Sequence, residues 1–539
     1  MDVGVLFRRS FDHSVAECLI PVVGESAAFG EFQVRAQSVE ACLVYCAVNV
    51  DVDNAGSLRR RRAATLVQAL VAPHSLHMTS DTTGYMVRGS SIYAITLPAY
   101  SETLFKVLTS NNPVSWLEVA GHLYYSNGVD SGRISSGVWY PWALPTPAAP
   151  SVSSIAGGLD KGAYQVVVSY CNSATGEEGG VSPATRHSLA TIGGLRVTLP
   201  GATPGATHIN VYVSTVNGSV PLLAATVAAG TPTVDVAVPA TGREANERFE
   251  APLPAGTQLF EFNGCLCSVN GSDVFEGIPY RHGYYLKTEG RIPFPAAVSN
   301  VVPAENGVYV VADITRWLQG AVMTKAEIVK DVLPYGGVPG TAFVMDKDAH
   351  QVGWFSRDGI VLADTMGQVK ALMADNVALT APASGVSALF SDGGYNRVVS
   401  CGWCLNLDTM AATQYSGYDF GSISRGYGTK VDGIYALTGA GKVAWTIDLG
   451  KDNFGTEAKK TMPAVYLGYA SDEVISLRVQ TPEHDYTYPA RSCSSDLQIH
   501  RVDPGRGLSA NWFDLSLLGE YDFTLATVSF APVASTRRI

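Results

Sequence analysis

Charged residues are scarce in this sequence, and positive charge is scarcer than negative charge. Asp, Glu, Lys and Arg make up 16% of the chain against 46% hydrophobic residues, which excludes a disordered protein because disordered chains are poor in apolar residues. Lys and Arg number 37 and Asp and Glu 48, so the formal net charge is −11. A surface of this sign repels a phosphate backbone, which excludes tight coating of nucleic acid.

Cysteines are few, and long apolar runs are missing. Nine cysteines, an odd number at irregular spacings, indicate reduced thiols rather than a disulfide framework and predict synthesis and assembly in the cytoplasm. No stretch approaches the ~18 uncharged apolar residues of a membrane-spanning helix. Arg8 and Arg9 are followed by further charged residues instead of an apolar segment, so we predict no signal peptide.

The motifs of the common enzyme classes are also absent. We find no serine-nucleophile elbow, no zinc-protease helix and no phosphate-binding loop. Cys401 and Cys404 have the spacing of a redox or half-zinc motif, but no helical pattern follows Cys404, and the only other close pair is Cys265 with Cys267. We therefore interpret these cysteines as core residues and predict no catalytic residue, no metal and no cofactor.

What the sequence does have is many turns. The 54 Gly and 28 Pro separate short β-prone runs, which is typical of an all-β chain. Gly264, Gly307 and Gly359 open similar runs at spacings of about 43 and 52 residues, near the roughly 40 to 50 residues of a four-stranded propeller blade. Gly121 precedes Gly264 by about 143 residues, and an insertion of about 105 residues restores the blade spacing.

The predicted insertion has the pattern of a separate sandwich. Prolines flank it, and Tyr164, Val166, Val168 and Tyr170 alternate on one face of a strand. We predict an all-β fold with a β-propeller-like body and one inserted fibronectin- or immunoglobulin-like β-sandwich; several β domains in a flatter arrangement are the alternative. The predicted boundaries are 1–145 and 251–539 for the body and 146–250 for the sandwich. Short helices are predicted at 314–319 and 325–332.

One strongly basic run stands out, from Arg59 to Arg62. On an extended strand Arg59, Arg60, Arg61 and Arg62 alternate between faces, so at most two of them point at one partner. We predict that they face either a neighbouring subunit or DNA, with pairing to carboxylates of a neighbour favoured in a net-acidic chain. The preceding Asp51 to Gly56 segment lacks the ligands of a calcium loop and predicts a polar turn.

Three groups of segments resemble the tail nozzle proteins of short-tailed phages, also called tail tubular protein B. They bracket most of the chain: Asn49 to Arg62; Phe262 to Gly277 with Ile292 to Pro295 and Asn306 to Val310; and Gly505 to Leu508 with Trp512-Phe513, Tyr521 to Phe523 and Ser535 to Ile539. The sequence departs from the family at Ala63-Ala64, where a Pro-Gly turn is expected.

The resemblance implies a structural protein of the virion tail without catalytic residues. It implies a propeller body, a ring of six copies that docks below the head-to-tail adaptor or portal complex, contacts with tail fibre or tip proteins, and a channel through which double-stranded DNA passes without tight binding. The alternative is a tail-tip, baseplate or host-surface glycan-binding module. A glycan-degrading enzyme is a third hypothesis, with Asp313, Asp392, Glu483 and Asp485 as acid candidates.

Overall fold

The computed structural model describes residues 46–245, 249–345, 350–373, 379–505 and 507–534, and nearly all of its regular structure is β-strand. In these ranges the only helices are two single 3-10 turns, Met323–Lys325 and Asp392–Gly394. The prediction of an all-β fold is confirmed. The described part of the chain begins with four short strands: β1 (Cys46–Val48), β2 (Val50–Val52), β3 (Leu58–Arg60) and β4 (Ala63–Ala69). Strand β2 pairs with β3, whereas β1, β3 and β4 pair with distant parts of the sequence.

The next two sheets are four-stranded antiparallel blades formed by consecutive strands. Blade 1 contains β5 (Pro73–Met78), β6 (Thr83–Arg88), β7 (Ser91–Thr96) and β8 (Ser101–Val107). Blade 2 contains β9 (Ser115–Val119), β10 (His122–Ser126), β11 (Ser131–Ser135) and β12 (Val138–Tyr140). Ala120 and Gly121, with φ of 50° and 77°, make the tight turn between β9 and β10 because hairpins with two-residue loops need positive φ.

A β-sandwich follows blade 2. One layer has the order β13-β17-β20, and the other has the order β15-β14-β18-β19 with β16 also on β14. The strands are β13 (Ser151–Leu159), β14 (Gly162–Asn172), β15 (Glu177–Glu178), β16 (Thr185–Leu189), β17 (Gly193–Thr198), β18 (His208–Ser214), β19 (Pro221–Ala228) and β20 (Thr233–Val236). Tyr164, Val166, Val168 and Tyr170 are all buried in its core, so their predicted common face is confirmed.

Blades 3 to 5 follow the sandwich. Blade 3 contains β22 (Gln258–Phe262), β23 (Cys265–Asn270), β24 (Asp273–Phe275) and β27 (Arg291–Pro293), beside a small sheet of β21 (Glu250–Pro252), β25 (Gly277–Ile278) and β26 (Arg281–Leu286). Blade 4 contains β28 (Asn300–Ala304), β29 (Gly307–Val311), β30 (Thr315–Gln319) and β31 (Ile328–Leu333). Blade 5 contains β32 (Phe343–Val344), β33 (Gln351–Ser356), β34 (Gly359–Asp364) and β35 (Val369–Ala371).

Blade 6 is again formed by consecutive strands, whereas blade 7 includes a strand from the start of the described chain. Blade 6 contains β36 (Ser387–Phe390), β37 (Arg397–Ser400), β38 (Trp403–Asn406) and β39 (Ala412–Gln414). Blade 7 contains β40 (Ser422–Ser424), β41 (Tyr427–Lys430) and β42 (Gly433–Gly439), and its fourth strand is β4 from the start of the chain. Blade 7 is therefore complete only when β4 and β42 pair.

The first strands of blades 1 to 6, together with β40 of blade 7, form a closed circle. Strand β22 contacts β9 and β28, and the contacts continue through β32, β36 and β40 back to β5. Between blades 1 and 2, the N–H of Val114 donates to Ser75 Oγ at 2.8 Å and Trp116 Nε1 donates to the Ser75 carbonyl at 2.8 Å. The described residues thus form a seven-bladed propeller.

A second sandwich follows blade 7. Its layers are β1-β43-β50-β46-β47 and β2-β3-β51-β45-β48, with a small sheet β49-β44-β52. The strands are β43 (Trp445–Asp452), β44 (Lys460–Thr461), β45 (Val465–Ser471), β46 (Ser476–Gln480), β47 (Asp485–Pro489), β48 (Ser494–Val502), β49 (Ser509–Ala510), β50 (Phe513–Gly519), β51 (Thr524–Phe530) and β52 (Val533–Ala534). Strand β1 also pairs in parallel with β39, so one layer continues the sheet of blade 6.

Two sequence-based interpretations differ from the structure. The sequence predicts that residues 251–539 all belong to the propeller body, whereas the described strands from β43 onward pair with one another and with β1 and β3. The predicted helices at 314–319 and 325–332 are wrong, because these segments form β30 and β31. Pairing with β29 buries Trp317 and Leu318 in the blade, which outweighs the weak local preference of so short a segment.

No helix in the described ranges is long and apolar enough to span a membrane.

Candidate functional site

The turn between β2 and β3 brings the arginine run to the junction of blade 6 and the second sandwich. Asp53 Oδ1 accepts the backbone N–H groups of Ala55 and Ser57, both at 2.9 Å, so the polar turn predicted here is confirmed. The other oxygen of Asp53 pairs with Arg59 at 3.0 Å. The Arg59 side chain is 46% exposed, and Arg62 is also exposed.

Arg60 is buried inside the chain. Its side chain is 1% exposed, and its Nε donates to Asp522 Oδ1 at 2.7 Å while another guanidinium nitrogen donates to the Gly441 carbonyl. Asp522 precedes β51 and Gly441 follows blade 7, so this guanidinium joins the end of the propeller to the second sandwich. The sequence predicts that Arg60 faces a neighbouring subunit or DNA, whereas its guanidinium bonds to groups of its own chain.

Arg61 is buried as well, on the propeller side. Its Nε donates to Asn49 Oδ1 at 2.7 Å and a terminal nitrogen donates to the Ser416 carbonyl at 3.1 Å. Its guanidinium lies 5.3 and 5.4 Å from the rings of Tyr415 and Tyr418, a cation–π arrangement, and burial lowers its pKa. Because β3 ends at Arg60, the strict alternation expected along the run fails at Arg61, and the predicted partner-facing role stays a prediction for Arg59 and Arg62 only.

Asp51 forms a second buried link between the two bodies. It is 3% exposed on β2, and Tyr395 Oη donates to its carboxylate at 3.1 Å, as does Tyr415 Oη. Arg397 Nε lies 3.7 Å from the same carboxylate. Burial and the Asp51 charge raise the pKa of Tyr395, so its hydroxyl remains a hydrogen-bond donor at neutral pH.

A cavity of about 330 Å³ opens beside these links, between blade 6 and the second sandwich. Its charged lining consists of four arginines and three aspartates: Arg59, Arg60, Arg62, Arg397, Asp51, Asp472 and Asp522. The first three arginines belong to the basic run that stands out in the sequence. Arg397, Asp472 and Asp522 could not be recognised in the sequence, because nothing in the local pattern of a distant residue indicates that it meets β3.

The cysteine pair does not make a reactive site. Cys401 lies in a turn with φ of 51°, where burial raises its pKa to about 11. Cys404 is buried on β38 toward Asp51, and burial raises its pKa as well. Thiols with raised pKa are poor nucleophiles. Within the described ranges, no three His, Cys, Asp or Glu side chains are grouped closely enough to hold a metal ion.

The carboxylates considered for glycan hydrolysis are not gathered at one place in the fold. Asp313 precedes β30 in blade 4, 3.8 Å from Arg316. Asp485 is on β47 of the second sandwich, where Arg478 Nε donates to it at 2.9 Å, and Glu483 is exposed just before it. Arg478 lowers the pKa of Asp485, which opposes a role as general acid. The Asp392 side chain lies outside the described part of the structure.

Fold and site together define a seven-bladed β-propeller that carries two β-sandwiches. No protein-family model matches the sequence, and no curated protein matches it. Similar solved structures include the WD40 β-propeller domain of Doa1, with 11% identity over 70% of this chain and 96% of that chain and a TM-score of 0.33. BamB from Moraxella catarrhalis has 11% identity over 73% of this chain and 99% of that chain, with a TM-score of 0.26. Values of this size assign no function.

Proposed function

We propose that this protein is a structural subunit of a tailed-phage tail, where copies associate side by side into a ring of the nozzle type. The observation that supports this most directly is the role of the segment Asn49 to Arg62, which carries part of the family resemblance. Its strands and buried arginines tie blade 6 to the second sandwich. Propeller and sandwich thereby form one body, as suits a ring subunit that keeps its shape while DNA passes.

Charge supports the same role. The net charge of −11 lets a ring of these subunits, which we propose contains six copies below the head-to-tail adaptor, pass double-stranded DNA without holding it. The inserted sandwich is anchored at its base, where Tyr284 Oη donates to Glu177 at 2.6 Å and accepts the Leu144 N–H at 2.7 Å. The rest of that sandwich is free to contact a tail fibre, a neighbour or the host surface.

Imaging tests the proposal. We expect the purified protein to form rings of six in negative-stain images and in light scattering coupled to size exclusion, and we expect antibodies to label the tail of the virion. Purified protein that stays monomeric and is missing from particles would contradict the proposal. A non-catalytic role is part of it, so release of reducing sugar from host polysaccharide by the pure protein would contradict that part.

A host-surface binding module is the second candidate, favoured by two exposed aromatic side chains at the base of the insertion. Tyr280 is 89% exposed and Phe249 is 59% exposed, and both flank the small sheet of β21 and β26. Exposed aromatic rings offer flat surfaces to a ligand. Deleting residues 146–250 separates the candidates: failed tail assembly supports the ring subunit, and intact particles that no longer adsorb support the binding module.

A further inference from the structure

We propose that the arginine-lined cavity between blade 6 and the second sandwich binds a small oxyanion of the phosphate or carboxylate class. This inference goes beyond the tail role and does not depend on it. The cavity volume of about 330 Å³ lies at the lower end of the range for small-molecule sites, roughly 300 to 1,000 Å³. Guanidinium groups match phosphate and carboxylate because their planar donors reach two oxygens at once.

Two of the arginines are held in place before any ligand arrives. Arg60 is fixed by Asp522 and the Gly441 carbonyl. Arg397, whose side chain is 5% exposed, has its guanidinium 5.2 Å from the ring of Tyr395 and 5.4 Å from that of Phe390. An arginine that is already ordered loses little conformational freedom when it binds an anion.

The acids in the lining are largely engaged by other groups. Asp51 accepts hydrogen bonds from two tyrosine hydroxyls, and Asp522 accepts them from Arg60. The partner of Arg59 is Asp53, which is outside the lining. Four arginines and three aspartates line the cavity, and with Asp53 beside Arg59 the positive and negative charges are equal in number, within a chain whose net charge is −11. Asp472 is the acid that most directly opposes an anion here.

The depth of the charges favours a small ligand over a nucleic acid. Arg59 and Arg62 are exposed at the cavity, whereas Arg60 and Arg397 are buried. A DNA duplex presents its phosphates on a broad convex surface and reaches only exposed arginines. A free oxyanion is small enough to enter the cavity, which the guanidinium groups of Arg60 and Arg397 also line.

Titration calorimetry on the full chain tests the site, with inorganic phosphate and citrate as separate probes and sodium chloride holding the ionic strength constant. We expect saturable binding of one or both anions. Arg62→Gln should weaken it about tenfold, which corresponds to about 1.4 kcal/mol, and Asp472→Asn should tighten it several-fold. Arg59→Gln is a second variant, matched by Arg291→Gln: Arg291 is 56% exposed and 2.9 Å from Asp273, as Arg59 is 46% exposed and 3.0 Å from Asp53.

Circular dichroism confirms that each variant is folded before it is titrated. The proposal is overturned if neither anion binds, if Arg59→Gln and Arg291→Gln weaken binding equally, or if a short DNA duplex binds while both anions do not. It is also overturned if Arg62→Gln leaves the binding of phosphate and citrate unchanged. An increase in affinity in Asp472→Asn together with a loss in Arg62→Gln supports it.

Discussion

The Asp51 carboxylate allows a direct test of how the propeller and the second sandwich are joined. Asp51 belongs to β2, whereas Tyr395, Arg397 and Tyr415 are in or next to blade 6. The substitution Asp51→Asn keeps the shape of the side chain. It removes the negative charge and places an amide donor against a tyrosine hydroxyl that also donates.

The expected cost follows from these contacts. Asparagine keeps one acceptor oxygen, so one of the two tyrosine hydroxyls no longer donates to a charged oxygen and meets an amide donor instead. A hydrogen bond to a charged group contributes about 1.5 to 3 kcal/mol. Removing one partner of a buried ion pair costs about 3 to 5 kcal/mol. Arg397 Nε lies 3.7 Å from Asp51 Oδ2, and the substitution keeps the shape of the side chain, so we take the lower end of that range. We expect Asp51→Asn to lower the free energy of unfolding by about 3 kcal/mol.

Unfolding in guanidinium chloride, followed by tryptophan fluorescence, measures this loss of stability. We also expect limited proteolysis to release the second sandwich from the propeller earlier in the variant. Asp81→Asn is the control, because its side chain is 93% exposed and 3.6 Å from Arg425, so the expected change is within about 0.5 kcal/mol. An Asp51→Asn variant as stable as this control would refute our account of the junction.

Three further predictions concern other parts of the chain. Burial alone would raise the pKa of Glu178, but hydrogen bonds from four side chains hold it below 4.5, so the inserted sandwich should lose stability as the pH falls through that lowered pKa, and Glu178→Gln should remove this dependence in acid-unfolding curves. Cys493 is exposed, whereas burial raises the pKa of Cys401 to about 11, so a thiol reagent at pH 8 should modify Cys493 first, as peptide mapping would show. A Cβ on Gly336 would lie 1.8 Å from the Ala312 carbonyl oxygen, so Gly336→Ala should cost about 1 to 3 kcal/mol in thermal unfolding.

Each of these predictions has a control. Glu520→Gln replaces a carboxylate whose side chain is 59% exposed, and an equal loss of pH dependence there would contradict the role of Glu178. The thiol experiment uses a variant with Cys18 and Cys42 replaced by serine, and modification of Cys401 at the rate of Cys493 would contradict the prediction. Gly201→Ala introduces a methyl group with nothing within 4 Å, so it should be neutral where Gly336→Ala is not.

The blades were predictable because their turns are local. Gly121 and Gly264 both lie in the first turn of a blade, as their similar contexts indicated. Gly359 lies in the second turn of blade 5, between β33 and β34, so its spacing of about 52 residues from Gly307 compares two different turns. The blade count and the second sandwich were not predictable, because alternating strands look the same whether they pair in a blade or in a sandwich.

The candidate site was predictable only in part. The four adjacent arginines are evident in the sequence, but the residues that complete the cavity are far away from them along the chain. Arg60 meets Asp522, and Arg397 approaches Asp51, only after the sandwich has docked on blade 6. The local pattern also cannot indicate that β3 ends at Arg60, which is why Arg61 is buried beside its neighbour instead of facing away from it.

The closure of blade 7 by β4 has a consequence for the order in which the chain acquires structure during synthesis. Strand β4 leaves the ribosome before any blade, yet its partner β42 is made only after the other six blades. The inserted sandwich, whose strands pair among themselves between Ser151 and Val236, has all its partners much earlier. Contacts between distant residues form slowly, so we expect the insertion to fold while the circle of blades is still open. Strand β4 must then stay accessible until β42 has been made.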